Sequence, residues 1–470
     1  MSSSTVQASA RFPPGPPPRK GVLDSLGYYW SFLRDPIGFV GDRFSRYGDI
    51  YYAPSADGGL YVLRHPDDLR EVLITQAAKF SKGHSAFRQL SRFLGDGLLT
   101  SDGDTWKRHR RMIQPAFARP RLVEYAAVMR DEAERTAGRW RDGETLDLGH
   151  EMMDLTLRIV SRTLFGHDVT RDIDEVARAM VTFQGSLARP NLLPRWMPSL
   201  HRRRLNGAVA TIDRIMASMI AARRRENAAM AASSGSAPGA PADLLQTLVT
   251  AVDEEGDGGG LTAQEVRDHL VTMFLAGHET TSHALAWTFY LLSQNPEAER
   301  ALGAEIQQVL GDRVPAYDDL ERLVYTEQVL KESMRLYPPA YSVARKATED
   351  LEIGGYPVQR GSEVVVWIYM AHRDARWFPD PARFQPERFT PENEAKLPKG
   401  AYLPFGAGPR TCIGKSFAML EAKLILATLA RRFRLELAPG QRVDVRPRIT
   451  LTPRYGMRMV VRARRGKEGE

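Results

Sequence analysis

Apolar residues recur at every third or fourth position through several long stretches of the chain, and this spacing predicts α-helices. The longest such stretch opens with Thr262-Ala263-Gln264-Glu265, a capping box, and can continue to about Gln294 before Pro296 stops it. At 1.5 Å per residue such a helix is roughly 50 Å long, enough to cross a whole domain. The same spacing predicts a helix over residues 416–430 and a largely helical region over residues 121–175.

Short apolar runs between turn signals predict a few strands. These runs are residues 50–53, 60–63, 353–356, 364–369, 435–437 and 456–461. The longest uninterrupted apolar run, residues 364–370, is far shorter than the roughly 18 to 20 residues that span a bilayer, and it predicts a buried strand. The predicted fold class is therefore mainly α with small β-sheets.

Proline and glycine interrupt the helical pattern in a few places. The run Pro13-Pro14-Gly15-Pro16-Pro17-Pro18 predicts a stiff, extended segment within a Ser/Pro-rich N-terminal arm over residues 1–20 that lies along the body. Residues 190–198 contain three prolines and predict a mobile connection. Residues 228–242, rich in Ala, Ser, Gly and Pro, indicate either a domain linker or, like residues 256–260, a flexible surface loop within one domain.

The composition is that of a globular protein, 43% hydrophobic, with 65 basic and 57 acidic residues and a net charge of +8. The basic residues are spread thinly, which favours a solvated surface or the docking of an acidic protein over nucleic-acid binding. A single cysteine excludes an internal disulfide framework. The N-terminus lacks the hydrophobic centre of a signal peptide, and a cytoplasmic location is expected.

That single cysteine, Cys412, lies in an unusual setting. A lone cysteine is most often a small buried hydrophobe, but here three glycines, a proline and an arginine surround it. This composition predicts an irregular loop that ends just before or at the N-terminus of the helix over residues 416–430, where a thiolate is favoured. A nucleophilic thiolate would need a histidine nearby, and a zinc site would need further Cys or His ligands at short spacing. Neither is present around Cys412, and a sole thiolate ligand fits a heme iron.

The pattern Phe405-x-x-Gly408-x-Arg410-x-Cys412-x-Gly414 resembles the heme-binding signature of the cytochrome P-450 superfamily. The resemblance implies the cytochrome P-450 fold, a single heme domain over residues 21–470 with a long central helix crossing over the heme. It also implies heme b as the cofactor, with Cys412 as the axial iron ligand.

The segment from Ala276 to Thr281 resembles the oxygen-activation segment of that family. Gly277 would then leave room for dioxygen, Thr280 would donate a hydrogen bond to it, and Glu279 would relay protons inward. A rival interpretation is a zinc site at His278-Glu279-x-x-x-His283. Histidines five apart lie on different helix faces, so the zinc site fails on geometry. Gly277 and the hydroxyls after it also weaken the helix, which makes a local bulge or an inserted water plausible.

Further positions match the family's conserved contacts by resemblance. Trp106 and Arg110, four apart on one helical face, match a propionate-binding pair, and Arg345 and Arg410 join them as heme-propionate partners. Glu332, Arg335 and Arg388 match a buried structural cluster. The expected substrate pocket is lined by Leu94, Leu99, Met273, Phe274, Ala276, Val343 and Ile449.

The resemblance implies a monooxygenase that inserts one oxygen atom from O2 into an apolar small molecule such as a terpenoid, polyketide or fatty acid. Hydroxylation is expected, with epoxidation as a variant. Electrons originating from NAD(P)H would come from a separate ferredoxin or flavodoxin with its reductase, and Arg108, Arg111 and Lys415 are candidate docking contacts on a monomeric protein without a membrane anchor. Two alternatives stay open: oxidative coupling or desaturation on the same scaffold, and a non-catalytic heme sensor. The Glu279-Thr280 pair argues against a peroxygenase or isomerase, which need no proton delivery to dioxygen.

Overall fold

The computed structural model describes residues 12–18, 21–54, 59–83, 85–166, 175–176, 178–179, 182–183, 185, 199–234, 243–253 and 259–464. The predicted connection over residues 190–198 lies outside these ranges. So do residues 1–11 and 19–20 of the predicted arm, residues 235–242 of the first predicted loop and residues 256–258 of the second.

Helices dominate the described residues, as the spacing of apolar residues predicts. In chain order they are α1 (Gly21–Arg34), α2 (Pro36–Tyr47), α3 (Pro66–Arg70), α4 (Ser85–Leu94), α5 (Gly103–Ile113), α6 (Arg119–Arg139), α7 (Leu148–Leu164), α8 (Leu200–Ser234), α9 (Leu244–Thr250), α10 (Ala263–Gln294), α11 (Pro296–Leu310), α12 (Val324–Leu336), α13 (Ile368–Ala371), α14 (Pro391–Glu394) and α15 (Lys415–Arg432). None of these helices combines the length and the apolar character that crossing a membrane requires.

The strands are short and belong to small sheets. They are β1 (Ile50–Ala53), β2 (Leu60–Leu63), β3 (Phe80–Ser81), β4 (Thr145–Asp147), β5 (Val343–Ala347), β6 (Leu351–Ile353), β7 (Tyr356–Val358), β8 (Glu363–Val366), β9 (Phe433–Leu437), β10 (Val445–Pro447), β11 (Leu451–Pro453) and β12 (Arg458–Ala463). The predicted strands over residues 50–53 and 60–63 coincide with β1 and β2, which pair antiparallel.

The chain forms two compact units, each made of separate segments. The first unit comprises Met1–His84, Tyr341–Ala382 and Lys396–Cys412, and the second comprises Ser85–Ala340, Arg383–Ala395 and Ile413–Glu470. Whether the predicted domain over residues 21–470 is one functional domain stays a prediction.

A five-stranded sheet of order β1-β2-β8-β5-β3 organises the first unit. Strand β2 pairs in parallel with β8, with Leu60 opposite Glu363 and Leu63 opposite Val366, whereas the other pairs are antiparallel. The described part of the N-terminal arm lies against this sheet, because Tyr52 N–H donates to Pro14 O at 3.1 Å and Phe12 stacks on the Tyr52 ring.

Helix α10 is the centre of the second unit. The Thr262 side chain accepts from Glu265 N–H, and the Glu265 side chain accepts from Thr262 N–H, so the predicted capping box is confirmed. The helix ends at Gln294, two residues before Pro296, as the position of this proline predicts. Of its 32 residues 22 are buried, on every face of the helix, and α7, α12 and α15 pack around it. The bulge considered for its middle is not present, because α10 is a continuous α-helix from Ala263 to Gln294.

Three segments differ from the prediction. The strand predicted over residues 353–356 is instead the turn of a hairpin, because β6 ends at Ile353, Gly354 and Gly355 form the turn, and β7 begins at Tyr356.

The run over residues 364–370 is strand only to Val366, and the chain then turns into α13, whose apolar residues are buried in the same core. An apolar run without a period does not distinguish a strand from a buried helical turn. Helix α8 continues to Ser234, into the predicted loop over residues 228–242, because its last turns are rich in alanine, the strongest helix former.

Candidate active site

The backbone of the Cys412 loop is held by its own hydrogen bonds. Cys412 N–H donates to Phe405 O at 2.9 Å, and Thr411 N–H donates to Gly408 O at 3.0 Å, which closes a single 3-10 turn over Gly408–Arg410. The thiol of Cys412 is exposed. Helix α15 begins three residues later, with Gly414 as its N-cap, so Cys412 precedes the helix as predicted.

Gly408 allows this loop to press against its neighbour in the first unit. Its φ is +68°, and a Cβ added there would lie 1.9 Å from Leu73 O. Any other residue would have to move that backbone. Gly406 also has a positive φ, +69°, but faces open space, so its requirement is conformational alone. The glycines of the motif therefore shape the loop for two separate physical reasons.

Two of the predicted propionate partners belong to the first unit. Arg345 lies on β5 and is buried, and its Nη1 donates to Ala344 O at 2.9 Å. Arg410 closes the 3-10 turn beside Cys412 and is partly buried. Both are cations of the kind that a buried carboxylate ligand requires. Their binding to a propionate stays a prediction.

The other two, Trp106 and Arg110, lie on α5 in the second unit. The Arg110 guanidinium carbon is 5.7 Å from the centroid of the Trp106 ring, so the two side chains lie together on one helical face as their spacing predicts.

Helix α5 is anchored to the first turn of α10. His109 Nε2 lies 3.1 Å from Glu265 Oε1, and Arg108 Nη1 donates to the same oxygen at 3.0 Å. Burial acts to raise the pKa of Glu265, but the Thr262 N–H and the side chains of His109 and Arg108 lower it to about 2. The anchor therefore keeps its charge at neutral pH.

The middle of α10 carries a small window in an otherwise buried helix. Ala276 is exposed, and Gly277 and Thr280 are partly exposed, while the residues before and after them are buried. These three positions share one face, because residues one and four apart lie within about 100° of one another. A Cβ on Gly277 would lie 3.0 Å from Val160 Cγ2 on α7, so this glycine also serves close helix packing.

The hydroxyls of the segment bond to their own helix. Thr280 Oγ1 donates to Ala276 O at 2.8 Å and Thr281 Oγ1 to Gly277 O at 3.4 Å. The predicted competition for backbone carbonyls therefore occurs without breaking the helix. His278 is buried, which lowers its pKa to about 4, and its Nδ1 bonds to Phe274 O.

Glu279 is buried, at 1% exposure, and its carboxyl is held from a distant part of the chain. Thr450 Oγ1 donates to Glu279 Oε1 at 2.7 Å, and the same hydroxyl oxygen lies 3.1 Å from His283 Nδ1. The sequence offered no signal for this contact, because Thr450 lies 171 residues away from Glu279.

The predicted structural cluster is assembled as expected within the second unit. Arg335 donates from Nε to Glu332 Oε2 at 2.6 Å and from Nη2 to Oε1 at 2.7 Å. Gln385 N–H adds a bond to Oε1 at 2.9 Å, and Arg388 Nε lies 3.4 Å from it. All of these groups surround one buried carboxylate, so the cluster holds the segment over residues 383–388 against α12.

The predicted pocket residues are placed as follows. Leu94, Met273 and Phe274 are buried in the main core of the second unit, against which Leu99 and Ile449 pack, and Val343 packs in the first unit. A cavity of about 820 Å³ lies elsewhere, among α4, α8 and the start of α10, and none of the predicted pocket residues lines it. The lining role of these six residues and of Ala276, which is exposed on α10, stays a prediction.

Another buried acid also escaped the sequence reasoning. Glu421 on α15 is completely buried, and neither of its carboxyl oxygens has a hydrogen-bond partner among the described residues. A signal was present, because Glu421 lies on the apolar stripe formed by Phe417, Leu420 and Leu424, where a carboxyl does not belong.

Each unit, taken by itself, carries residues of the kinds that suit a heme. In the first unit the exposed thiol, in a loop whose glycines remove side-chain bulk, can ligate iron, and the buried Arg345 can bind a carboxylate. In the second unit Arg110 beside the Trp106 ring can bind a carboxylate, and α10 carries a window of small residues.

Comparison with known proteins gives an independent result. The family model described as Cytochrome P450 matches residues 13–457. Cyclooctatin synthase of Streptomyces melanosporofaciens is 36% identical over 437 residues, covering 92% of this chain and 92% of that protein. Cyclooctat-9-en-7-ol 5-monooxygenase of the same organism is 36% identical over 425 residues, with 89% of each chain covered. Pentalenene oxygenase of Streptomyces avermitilis is 33% identical over 446 residues, covering 94% of this chain and 96% of that protein.

Proposed function

The chain belongs to the cytochrome P450 family and is a monooxygenase of that family, and from this premise we propose that it hydroxylates a terpenoid. The match over nearly the whole chain, together with the intact Cys412 loop, carries this proposal. The family implies heme and O2, with electrons derived from NAD(P)H through redox partners.

We propose that the heme is heme b and that Cys412 is its iron ligand. A bound heme supplies the iron at which dioxygen is activated. The thiol is exposed, and the bond from Cys412 N–H to Phe405 O fixes the backbone from which it projects. Gly408 allows the loop to keep this shape.

The proposed contacts to the heme propionates are Trp106, Arg110, Arg345 and Arg410. Each has support from its own surroundings. Arg345 is buried on β5, and Arg110 lies against the Trp106 ring on a helix that is anchored through His109. Buried carboxylates need such cations, because an unpaired charge is expensive to bury.

The proposed proton path uses Glu279 and Thr280. Thr280 lies in the window of α10, where its hydroxyl can turn from Ala276 O toward a bound oxygen ligand. Glu279 is the neighbouring acid, buried and held by Thr450, and can carry protons toward that hydroxyl.

A terpenoid substrate is supported by the relatives. Two of the three proteins compared are named for the oxygenation of cyclooctat-9-en-7-ol and pentalenene. The side chains proposed to line the pocket, Leu94, Leu99, Met273, Phe274, Val343 and Ile449, are all apolar, which suits a hydrocarbon skeleton but would equally suit a polyketide or a fatty acid.

We propose a ferredoxin or flavodoxin with its reductase as the electron source, because the family normally receives its electrons through redox partners. Of the candidate docking cations, Arg111 donates to both carboxylate oxygens of Asp253, at 3.0 and 3.1 Å, and Arg108 pairs with Glu265. Lys415 is exposed at the start of α15 and is the strongest candidate of the three.

The absorption spectrum of the dithionite-reduced protein under carbon monoxide tests the heme assignment. We expect a strongly red-shifted Soret band that disappears in Cys412→Ala and persists in Ser416→Ala, a matched change on the exposed first turn of α15. A Soret band typical of histidine ligation would contradict the assignment.

The substrate class is tested by titrating the ferric protein with pentalenene and, separately, with lauric acid. A spin-state change with pentalenene alone is expected. A response to lauric acid alone would overturn the terpenoid proposal and leave the heme assignment intact.

A further inference from the structure

The tip of the β10–β11 hairpin reaches the middle of α10. Its residues 448–450 connect the two strands, and Leu451 N–H donates to Pro339 O at 3.0 Å. From the helix, Trp287 Nε1 donates to Leu451 O at 2.9 Å. The tip is therefore fixed against α10 by contacts next to Thr450 itself.

The Thr450 hydroxyl occupies the space between two side chains of α10. It is buried, donates its proton to Glu279 Oε1 at 2.7 Å, and lies 3.1 Å from His283 Nδ1. A hydroxyl has one proton, so toward His283 it acts as the acceptor. His283 therefore carries its own proton on Nδ1.

His283 is neutral, so its ring carries a single proton, and that proton can be donated from Nδ1 to the Thr450 oxygen. Burial, together with the nearby His278 and the Arg448 charge, lowers the pKa of His283 to about 3. The three groups form one ordered chain of hydrogen bonds, from His283 Nδ1–H to the Thr450 oxygen and from the Thr450 proton to Glu279.

This chain borders the window of α10. Around the helix axis His283 lies about 20° from Ala276, and Glu279 lies about 60° from Ala276 and about 100° from Thr280. Thr450 thus holds the Glu279 carboxyl at the edge of the face that Ala276 and Thr280 present. A carboxyl fixed by a donor has one orientation.

We propose that Thr450 is a positioning residue for Glu279, setting the orientation from which this acid relays protons. The inference rests on the proposed function, because it gives Glu279 that role. The Thr450 hydrogen bond also joins Glu279 to the hairpin tip that carries Ile449, a proposed pocket residue. The position of the hairpin tip therefore affects both the acid and one side of the proposed pocket.

The first test needs no turnover. In the reduced, carbon monoxide-bound protein, 15N spectra of the imidazoles at pH 7 should show His283 as the neutral Nδ1–H tautomer, identified by its absence in His283→Phe. Thr450→Val keeps the shape of the side chain but removes the acceptor, and should convert His283 predominantly to the Nε2–H tautomer. Thr450→Ser should restore the wild-type signal.

A matched control lies in the same hairpin. Thr452 bonds to Arg446 O within the hairpin, and Thr452→Val makes the same chemical change without touching α10. An unchanged His283 tautomer in Thr450→Val, or the same change in Thr452→Val, would overturn the inference.

The second test measures the fate of dioxygen. Dioxygen that receives two electrons and two protons becomes hydrogen peroxide, whereas dioxygen that receives four electrons and four protons becomes two water molecules. With a plant-type ferredoxin, its reductase, NADPH and no added substrate, we expect Thr450→Val to raise the ratio of peroxide to water about tenfold. Thr450→Ser should stay close to the wild-type ratio, and equal ratios in all variants would contradict the proposal.

The carbon monoxide spectrum separates the two levels of failure. The amounts of peroxide and of water are each expressed per protein molecule that shows the red-shifted Soret band. If the wild type lacks that band, the proposed function fails. If wild type and Thr450→Val both show it and neither the tautomer nor the ratio changes, only the positioning role of Thr450 fails.

Discussion

Two buried glutamates in the second unit differ in the polar groups that surround their carboxyls. Glu332 on α12 accepts two bonds from Arg335 and one from Gln385 N–H, with Arg388 close by. Glu421 on α15 is equally buried, and neither of its oxygens has a partner among the described residues. Burial raises the pKa of both carboxyls, but for Glu332 the bonds from Arg335 oppose the rise.

The difference shows that burial alone does not determine the charge of a carboxyl. The free energy of burying an ionised carboxylate is recovered only through close, hydrogen-bonded cations. Glu332 has them, and it acts as the ionised centre of a cluster that joins α12 to the segment over residues 383–388. For Glu421 burial raises the pKa well above 4.5, and only the neighbouring Thr281 side chain opposes that rise.

The largest effect is expected from Glu332→Gln. The change leaves Arg335 as a buried charge without its carboxylate, which should destabilise the fold by about 3 to 5 kcal/mol. The thermal midpoint and the yield of protein with the red-shifted Soret band measure it. A midpoint shift no larger than that of Glu421→Gln at pH 7 would show that the cluster does not behave as an ion pair.

A smaller effect is expected from Arg388→Ala. Arg388 is the third member of the cluster, and Glu332 keeps the bonds from Arg335 and from Gln385 N–H when it is removed. Loss of one contact to a charged group should cost about 1.5 to 3 kcal/mol. The midpoint of thermal unfolding should therefore fall between those of the wild type and Glu332→Gln, and a drop equal to that of Glu332→Gln would make Arg388 an equal partner.

The smallest effect at pH 4, and the one with a distinct pH dependence, is expected from Glu421→Gln. An amide replaces a protonated acid of nearly the same shape, so the free energy of unfolding should change by less than about 1 kcal/mol at pH 4. The raised pKa of Glu421 means that the wild type loses stability as pH rises above 4.5 toward the folded-state value, because the unfolded chain ionises first. Glutamine has no such loss.

The difference in midpoint should therefore shift in favour of Glu421→Gln between pH 4 and pH 7. Glu392→Gln, on the exposed surface of α14, is the control and should show no such trend. A pH-independent difference would mean that Glu421 is ionised in the folded protein.

Local patterns predicted the parts of the fold that local physics determines. The capping box at Thr262 and the proline at 296 bound α10 on both sides, and the apolar runs over residues 50–53 and 60–63 form β1 and β2, so these elements have the predicted bounds. The apolar run over residues 364–370 was predicted wrongly in its second half, because a buried helical turn and a buried strand have the same composition.

The residues of the candidate site also fall into those that local sequence patterns predict and those that they do not. The loop around Cys412 and the Glu332–Arg335 pair are short-range patterns and could be recognised from spacing. The contact of Thr450 with Glu279 could not be predicted, because the two residues are 171 positions apart in the chain. No sequence pattern distinguishes Thr450 from any other buried threonine. Which polar group meets Glu279 is decided by how the β10–β11 hairpin packs on α10, and that is a property of the folded chain.

The parallel pairing of β2 with β8 has a consequence for the order in which the protein forms during synthesis. Leu60 meets Glu363, so the central strand pair of the first unit joins residues about 300 positions apart. At about 5 to 20 residues per second, β2 waits roughly 15 to 60 s on the ribosome before its partner is made. During that interval the apolar side chains of β1, β2 and the N-terminal arm have no complete sheet to join, and nascent chains of this protein are expected to need protection by chaperones until β8 has emerged.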